Sequence, residues 1–153
     1  MPASLSLGLD FGTTGVRACV ITDDDDIVDL ERIEFGDWHD YEIAGIWREA
    51  LWDIVSRLPR DTRRRLGAVA VDGTSATVLA CDAALNPLLP PLPYHDSRAR
   101  DEAASISRVA GKDNPAAVAT SGLAKSLWLR TSLGAGRRAD CFLNQADWIT
   151  GLL

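Results

Sequence analysis

Cysteine, histidine and methionine are scarce in this chain, at three, two and one among 153 residues. Cys19, Cys81 and Cys141 are odd in number, far apart in sequence and set in apolar segments. That pattern argues against a disulfide framework or a zinc site and for plain buried thiols. The two histidines, His39 and His95, have no nucleophile and carboxylate at a spacing that suits hydrolysis, and read as surface or loop residues. Basic charge is also in deficit: 16 Lys and Arg against 22 Asp and Glu give a net charge of -6, which argues against a nucleic-acid-binding surface. No apolar run approaches the roughly 20 residues of a membrane span, and residues 1–4 lack the basic and apolar segments of a signal peptide, so the expectation is a cytoplasmic protein without a membrane partner. Aromatics make up only 7%, yet five are tryptophan, mainly at helical positions. They read as core or interface anchors rather than a stacking platform for bases.

What is present suits a single α/β domain: 46% apolar and 25% charged residues over a length that buries one ordinary core. Residues 5–10 and 16–22 are short apolar runs around a glycine-rich turn, and residues 27–35 follow the acidic turn 23–26, predicting a three-stranded antiparallel meander. Ile43, Trp47, Ala50, Leu51, Ile54, Val55 and Leu58 fall at helical spacing up to Pro59. The charged stretch 60–65 reads as a solvated connector, and residues 67–72 as a buried strand. Residues 78–81 and 141–143 read as further strands, 97–110 and 123–133 as helices, and residues from 147 onward as a turn. A mixed sheet with helices packed on it results.

The first chemically informative segment is Leu7-Gly8-Leu9-Asp10-Phe11-Gly12-Thr13-Thr14-Gly15-Val16-Arg17. A carboxylate ends an apolar strand, and glycines and hydroxyls follow. Gly12 and Gly15 would let main-chain N–H groups approach phosphate oxygens, Thr13 and Thr14 would add hydroxyl donors, Arg17 would pair with negative charge and Asp10 would hold magnesium through water. A plain hairpin with a Gly/Thr-rich turn is the competing reading. The segment is not a P-loop, because no Gly-Lys-Ser/Thr closes it, and not a dinucleotide fingerprint, because a strand follows and the glycine spacing is wrong.

This segment resembles the opening phosphate motif of the FGGY carbohydrate kinases. The resemblance continues through Val71-Asp72-Gly73-Thr74-Ser75-Ala76-Thr77, Pro93-Tyr94-His95-Asp96-Ser97-Arg98, the Ser121-Gly122 turn and Asn144-Gln145-Ala146-Asp147-Trp148-Ile149-Thr150-Gly151-Leu152-Leu153, in order over nearly the whole chain. It implies an actin-like, ribonuclease-H-like ATPase fold, here its amino-terminal sugar-kinase portion over residues 1–153, with ATP and Mg2+ as cofactors and a small sugar as substrate. Residues 72–77 are most similar to D-ribulose kinases grouped with xylulose kinases; glycerol kinases carry an Arg-Glu pair where Thr74 and Ser75 stand.

By this resemblance Gly12, Thr13, Thr14 and Arg17 face the ATP phosphates and Asp10 the metal. Thr74 and Ser75 are substrate partners, or else satisfy backbone groups at a strand end. Tyr94 supplies an apolar wall to the sugar. Asp96 is either a ligand or a brace paired with Arg98, for which bracing is the favoured role; Asp72 is either a further ligand or part of a turn. The resemblance places the catalytic base and the adenine lobe beyond the Asp147-Trp148 block, so residues 1–153 alone are expected to be inactive. The rival expectations are a truncated sugar- or phosphate-binding module and a chain that pairs its exposed half-sheet with a second copy.

Overall fold

The computed structural model describes residues 4–37 and 42–153; Trp38 and His39 lie outside them. The chain forms two compact units, one running to Gly73 and including Leu152 and Leu153, the other spanning Thr74–Gly151.

In the first unit β1 (Leu5–Phe11), β2 (Gly15–Thr22) and β3 (Ile27–Glu34) form the antiparallel meander expected from the turns at 11–15 and 23–26, and β4 (Leu66–Gly73) adds in parallel to β1, giving the order β3-β2-β1-β4. Alternation along β1 and β2 puts Leu5, Leu7, Leu9, Phe11, Val16, Ala18 and Val20 in the core. Helix α1 (Ile43–Arg57) lies over β2 and β3 and buries Ile43, Ala44, Trp47, Ala50, Leu51 and Ile54. Each large aliphatic side chain so buried stabilises the unit by about 1.5–3 kcal/mol. The helix stops at Leu58, whose ψ of 136° is the extended conformation that a following proline imposes.

Residues 60–65 are not a plain connector: Arg60–Arg64 form a short helix, α2, with Pro59 at its N-cap and no buried residue. Residues 67–72 do form a strand, but not a buried one. β4 is an edge strand with Val69 46% exposed, because an apolar run suited to a sheet interior has no second strand or covering layer beside it among the described residues.

In the second unit β5 (Val78–Cys81) pairs antiparallel with β6 (Cys141–Asn144). Helices α3 (Arg100–Ala110) and α4 (Gly122–Ser132) pack on each other, and α4 packs on β5. Val78, Ala80, Leu92, Leu129, Leu133 and Ala139 make one core cluster and Ala99, Ala103, Ile106 and Ala124 another, with Trp128 against both. Residues from 145 onward form a helix rather than the expected turn, α5 (Gln145–Leu152). Its Trp148 is wholly buried and donates Nε1–H to the Leu85 carbonyl at 2.8 Å. Trp47 is likewise an anchor, whereas Trp52 is 49% exposed. The cysteines are free, as expected, but only Cys81 is buried; Cys141, distant in sequence, stands opposite it in the β5–β6 register.

Candidate functional site

Residues 10–17 sit where β1 turns into β2. Gly15 is required there: a Cβ would run into the Ile33 carbonyl oxygen of β3. The Phe35 amide donates to the Thr14 carbonyl at 2.8 Å, so the turn is tied to the end of β3 as well. Gly12 differs from the expectation. Its amide donates to the Gly15 carbonyl at 3.0 Å, so it closes the turn and is not free for an anion. The donors left open are those of Thr13 and Thr14, exposed residues whose amides and hydroxyls have no partner among the described residues.

Asp10 and Arg17 are cross-strand neighbours, and the guanidinium donates to the carboxylate at 2.6 Å. The groups expected to face a metal and a phosphate are therefore each other's partners. Arg32 is a residue the motif reading missed. It stands opposite Arg17 in the β2–β3 register, and with Gly12, Thr14, Gly15 and Arg17 it lines a pocket of about 200 Å3. Its own ion pair is to exposed Glu34 at 2.9 Å. The signal available was the hairpin register, which places one arginine across from the other once β3 is aligned.

Asp72 lies beside Asp10 in the parallel β1–β4 register and accepts the following Gly73 amide at 2.8 Å. Both carboxylates border an open groove of about 420 Å3 that also runs along Gly8, Cys19, Leu30 and Ala70. Adjacent strands are about 4.8 Å apart, so two carboxylates there attract a hard cation. Among the described residues no group of three or more metal-ligating side chains occurs.

In the second unit Thr74, Ser75, Ala76 and Thr77 make a turn closed by the Thr77 amide on the Thr74 carbonyl at 3.3 Å. The Thr74 hydroxyl donates to Gln145 Oε1 at 2.7 Å and shares a 2.7 Å hydrogen bond with the Thr77 hydroxyl. With its proton on Gln145, Thr74 receives the Thr77 proton and keeps one acceptor site. Ser75 is exposed, and its hydroxyl has no partner among the described residues.

Tyr94 is half exposed and meets His95 edge-on, with ring centroids 5.0 Å apart. The Arg98 side chain donates to both oxygens of Asp96, at 2.7–3.0 Å, and the Arg98 amide adds a third donor at 2.9 Å. Burial pushes the Asp96 carboxyl up, but these bonds and the charges of Arg98 and Lys125 carry it below the ordinary value. Arg98 also stacks over Trp128, 5.1 Å from the ring centroid. Asp96 thus braces this loop. His95, Asp96, Ser97, Arg98 and Arg100 border an open depression of about 630 Å3.

No family model matches the sequence. Solved structures do. A protein described as a xyloylose kinase from Brucella ovis matches with a TM-score of 0.74 at 19% identity, over 95% of this chain and 33% of that one. A xylulose kinase from Rhodospirillum rubrum matches at 0.67 and 21% identity over 97% and 34%, and a gluconate kinase from Lactobacillus acidophilus at 0.68 and 12% over 96% and 32%. The chain spans about a third of the length of each. With its mixed sheet and flanking helices, it has the fold of the amino-terminal portion of these sugar kinases, the actin-like ATPase fold that its motifs resembled.

Proposed function

We propose that these 153 residues supply the metal- and phosphate-binding turn and the sugar-facing loops of an ATP-dependent kinase that phosphorylates a sugar hydroxyl, with ketopentoses such as D-ribulose and D-xylulose as first candidates. The observation that carries this reading is the β1–β2 turn. It offers Thr13 and Thr14 donors that have no partner among the described residues, and two facing arginines beside Asp10, on the fold of solved sugar kinases.

ATP and Mg2+ fit the residues present. Thr13, Thr14, Arg17 and Arg32 suit phosphate oxygens, Gly12 shapes the turn, and Asp10, with Asp72 alongside, suits a hard cation. Magnesium, when bound, neutralises phosphate charge and lowers the barrier to transfer. Binding requires Arg17 to leave Asp10, which frees the guanidinium for phosphate and the carboxylate for the cation. Ser75 donates to or accepts from a sugar hydroxyl, Thr74 accepts from one, Tyr94 offers an apolar wall, and Asp96 acts through the loop it braces. In the reaction the sugar oxygen attacks the γ-phosphorus, the bond to the β-phosphate oxygen breaks, and ADP leaves. The hydroxyl proton passes to a carboxylate that is none of Asp10, Asp72 or Asp96.

Titration calorimetry of the chain with ATP, with magnesium or with EDTA, tests the reading. Magnesium-dependent binding is expected for the unaltered chain and a loss of that dependence for Asp10→Ala. Binding indifferent to magnesium in both rejects the assignment. A second reading, self-association, has one observation in its favour: the exposed apolar edge strand β4.

A further inference from the structure

Helix α4 carries a lysine on its buried face. Lys125 is fully buried between Ala124 and the following turn's Leu129, and it has no salt bridge among the described residues. Its ammonium donates to three backbone carbonyls: Ala76 at 2.8 Å, Pro93 at 2.6 Å and Tyr94 at 3.0 Å. Burial pulls its pKa below the ordinary lysine value, and the Asp96 carboxylate counters in part. An ammonium has three N–H donors, and here all three are used. A charge is tolerated in a protein interior only when so satisfied.

The carbonyls come from two separate segments, the turn at 74–77 and the loop that begins at Pro93. Ala76 holds φ at 54°, a left-handed conformation unfavourable to a residue with a Cβ. Such a conformation persists where its surroundings over-determine it. Lys125 holds the Ala76 carbonyl, Gln145 Oε1 accepts both the amide and the hydroxyl of Thr74, and the Gln145 amide donates to the Thr77 carbonyl at 3.0 Å. Gln145 in turn leaves its own Nε2 buried without a partner among the described residues. A buried ammonium, a positive-φ alanine and an orphan amide therefore converge on the turn that presents Ser75. Three costly features at one turn have no packing purpose that an apolar residue would not serve better.

We propose that Lys125 is a positioning residue of the sugar site, locking the turn that bears Ser75 and the loop that bears Tyr94 into one arrangement. The inference rests on the sugar-kinase reading above. Lys125→Met keeps the length and removes the donors. The test combines two readouts on the whole 153-residue chain: titration with D-ribulose and D-xylulose followed by tryptophan fluorescence, and amide hydrogen exchange over residues 74–78 and 93–98. Lys125→Met is expected to weaken sugar binding by about tenfold and to speed exchange in both segments together, as loss of hydrogen bonds to a charged group implies. Sugar binding unchanged in Lys125→Met, with both segments still protected, overturns the proposal. Failure of the unaltered chain to bind either sugar overturns the sugar role instead, and the exchange readout then reports on the clamp by itself. Where Lys125→Met does not fold, Ala76→Val opposes the same turn with Lys125 in place. It is expected to weaken sugar binding to a similar degree, and unchanged binding in Ala76→Val overturns the proposal equally.

Discussion

Ser75 and Asp96 are opposite cases at the level of single residues. Ser75 is exposed and its hydroxyl bonds to nothing among the described residues, so its removal leaves the fold untouched and any effect belongs to a ligand. In a chain that binds a ketopentose, Ser75→Ala is expected to leave the melting temperature unchanged and to weaken the sugar by about 0.5–1.5 kcal/mol, the net worth of one neutral hydrogen bond. Calorimetric titration reads this, and a change confined to ATP affinity would separate Ser75 from the sugar. Asp96, by contrast, is spent on Arg98, and its side chain is only 10% exposed. Its folded-state pKa lies below the ordinary 3.8, so the charged carboxylate stabilises the fold above that value and the contribution disappears as pH falls through the lower folded value. Thermal melts between about pH 5 and 3 are expected to fall more steeply for the unaltered chain than for Asp96→Asn, which cannot titrate. Parallel pH profiles would assign the acid loss to other carboxylates. The sequence reading held a pair with Arg98 as one of two roles for Asp96, and the structure makes that pair between near neighbours in the chain. The sequence reading missed Lys125, although a lysine four residues before Leu129 interrupts the apolar face of a helix, and that interruption is the signal of a satisfied buried charge.

Among the elements, α4 links a motif to a physical role. Ser121, read from the Ser121-Gly122 block, is the helix N-cap: its hydroxyl accepts the Ala124 amide at 3.1 Å and donates to the Ala116 carbonyl at 2.8 Å. Ser121→Ala is expected to cost about 1 kcal/mol of stability in denaturant unfolding. Ser121→Asp, which keeps an acceptor at the cap, is expected to recover most of it, and equal losses in both variants would show that the cap bond contributes little. The meander, α1, α3 and α4 were legible because hydrophobic period and turn residues are local signals. The register was not. Opposing Arg17 to Arg32 and Cys81 to Cys141 depends on which strands pair and with what offset, and residues distant in the chain settle that. Likewise Asp147 and Trp148 read as a turn because the run is short, whereas the wholly buried Trp148 and its bond to Leu85 stabilise a helix there.

For the molecule as a whole, each carboxylate of the two candidate regions already has another assignment: Asp10 is proposed for the cation, Asp72 accepts the Gly73 amide beside it and Asp96 braces Arg98. The 153-residue chain alone is therefore expected not to release ADP in the presence of D-ribulose, D-xylulose or glycerol above a magnesium-ATP blank, because binding without an organised acceptor does not supply proximity. A coupled assay with mass detection of sugar phosphate checks this, and product from the chain alone would require a base among residues 1–153. The sequence by itself determined the order of most elements and the composition of the β1–β2 turn. It also brought Asp10, Thr13, Thr14 and Arg17 together, since side-chain alternation and glycine-rich turns act over a few residues. Only the tertiary structure decided that the Gly12 amide is consumed within the turn, that β4 lies exposed at a sheet edge, and that Lys125 and Gln145 hold the Thr74–Thr77 turn. Those outcomes depend on which buried donors and acceptors meet across long loops, a condition that no local pattern encodes.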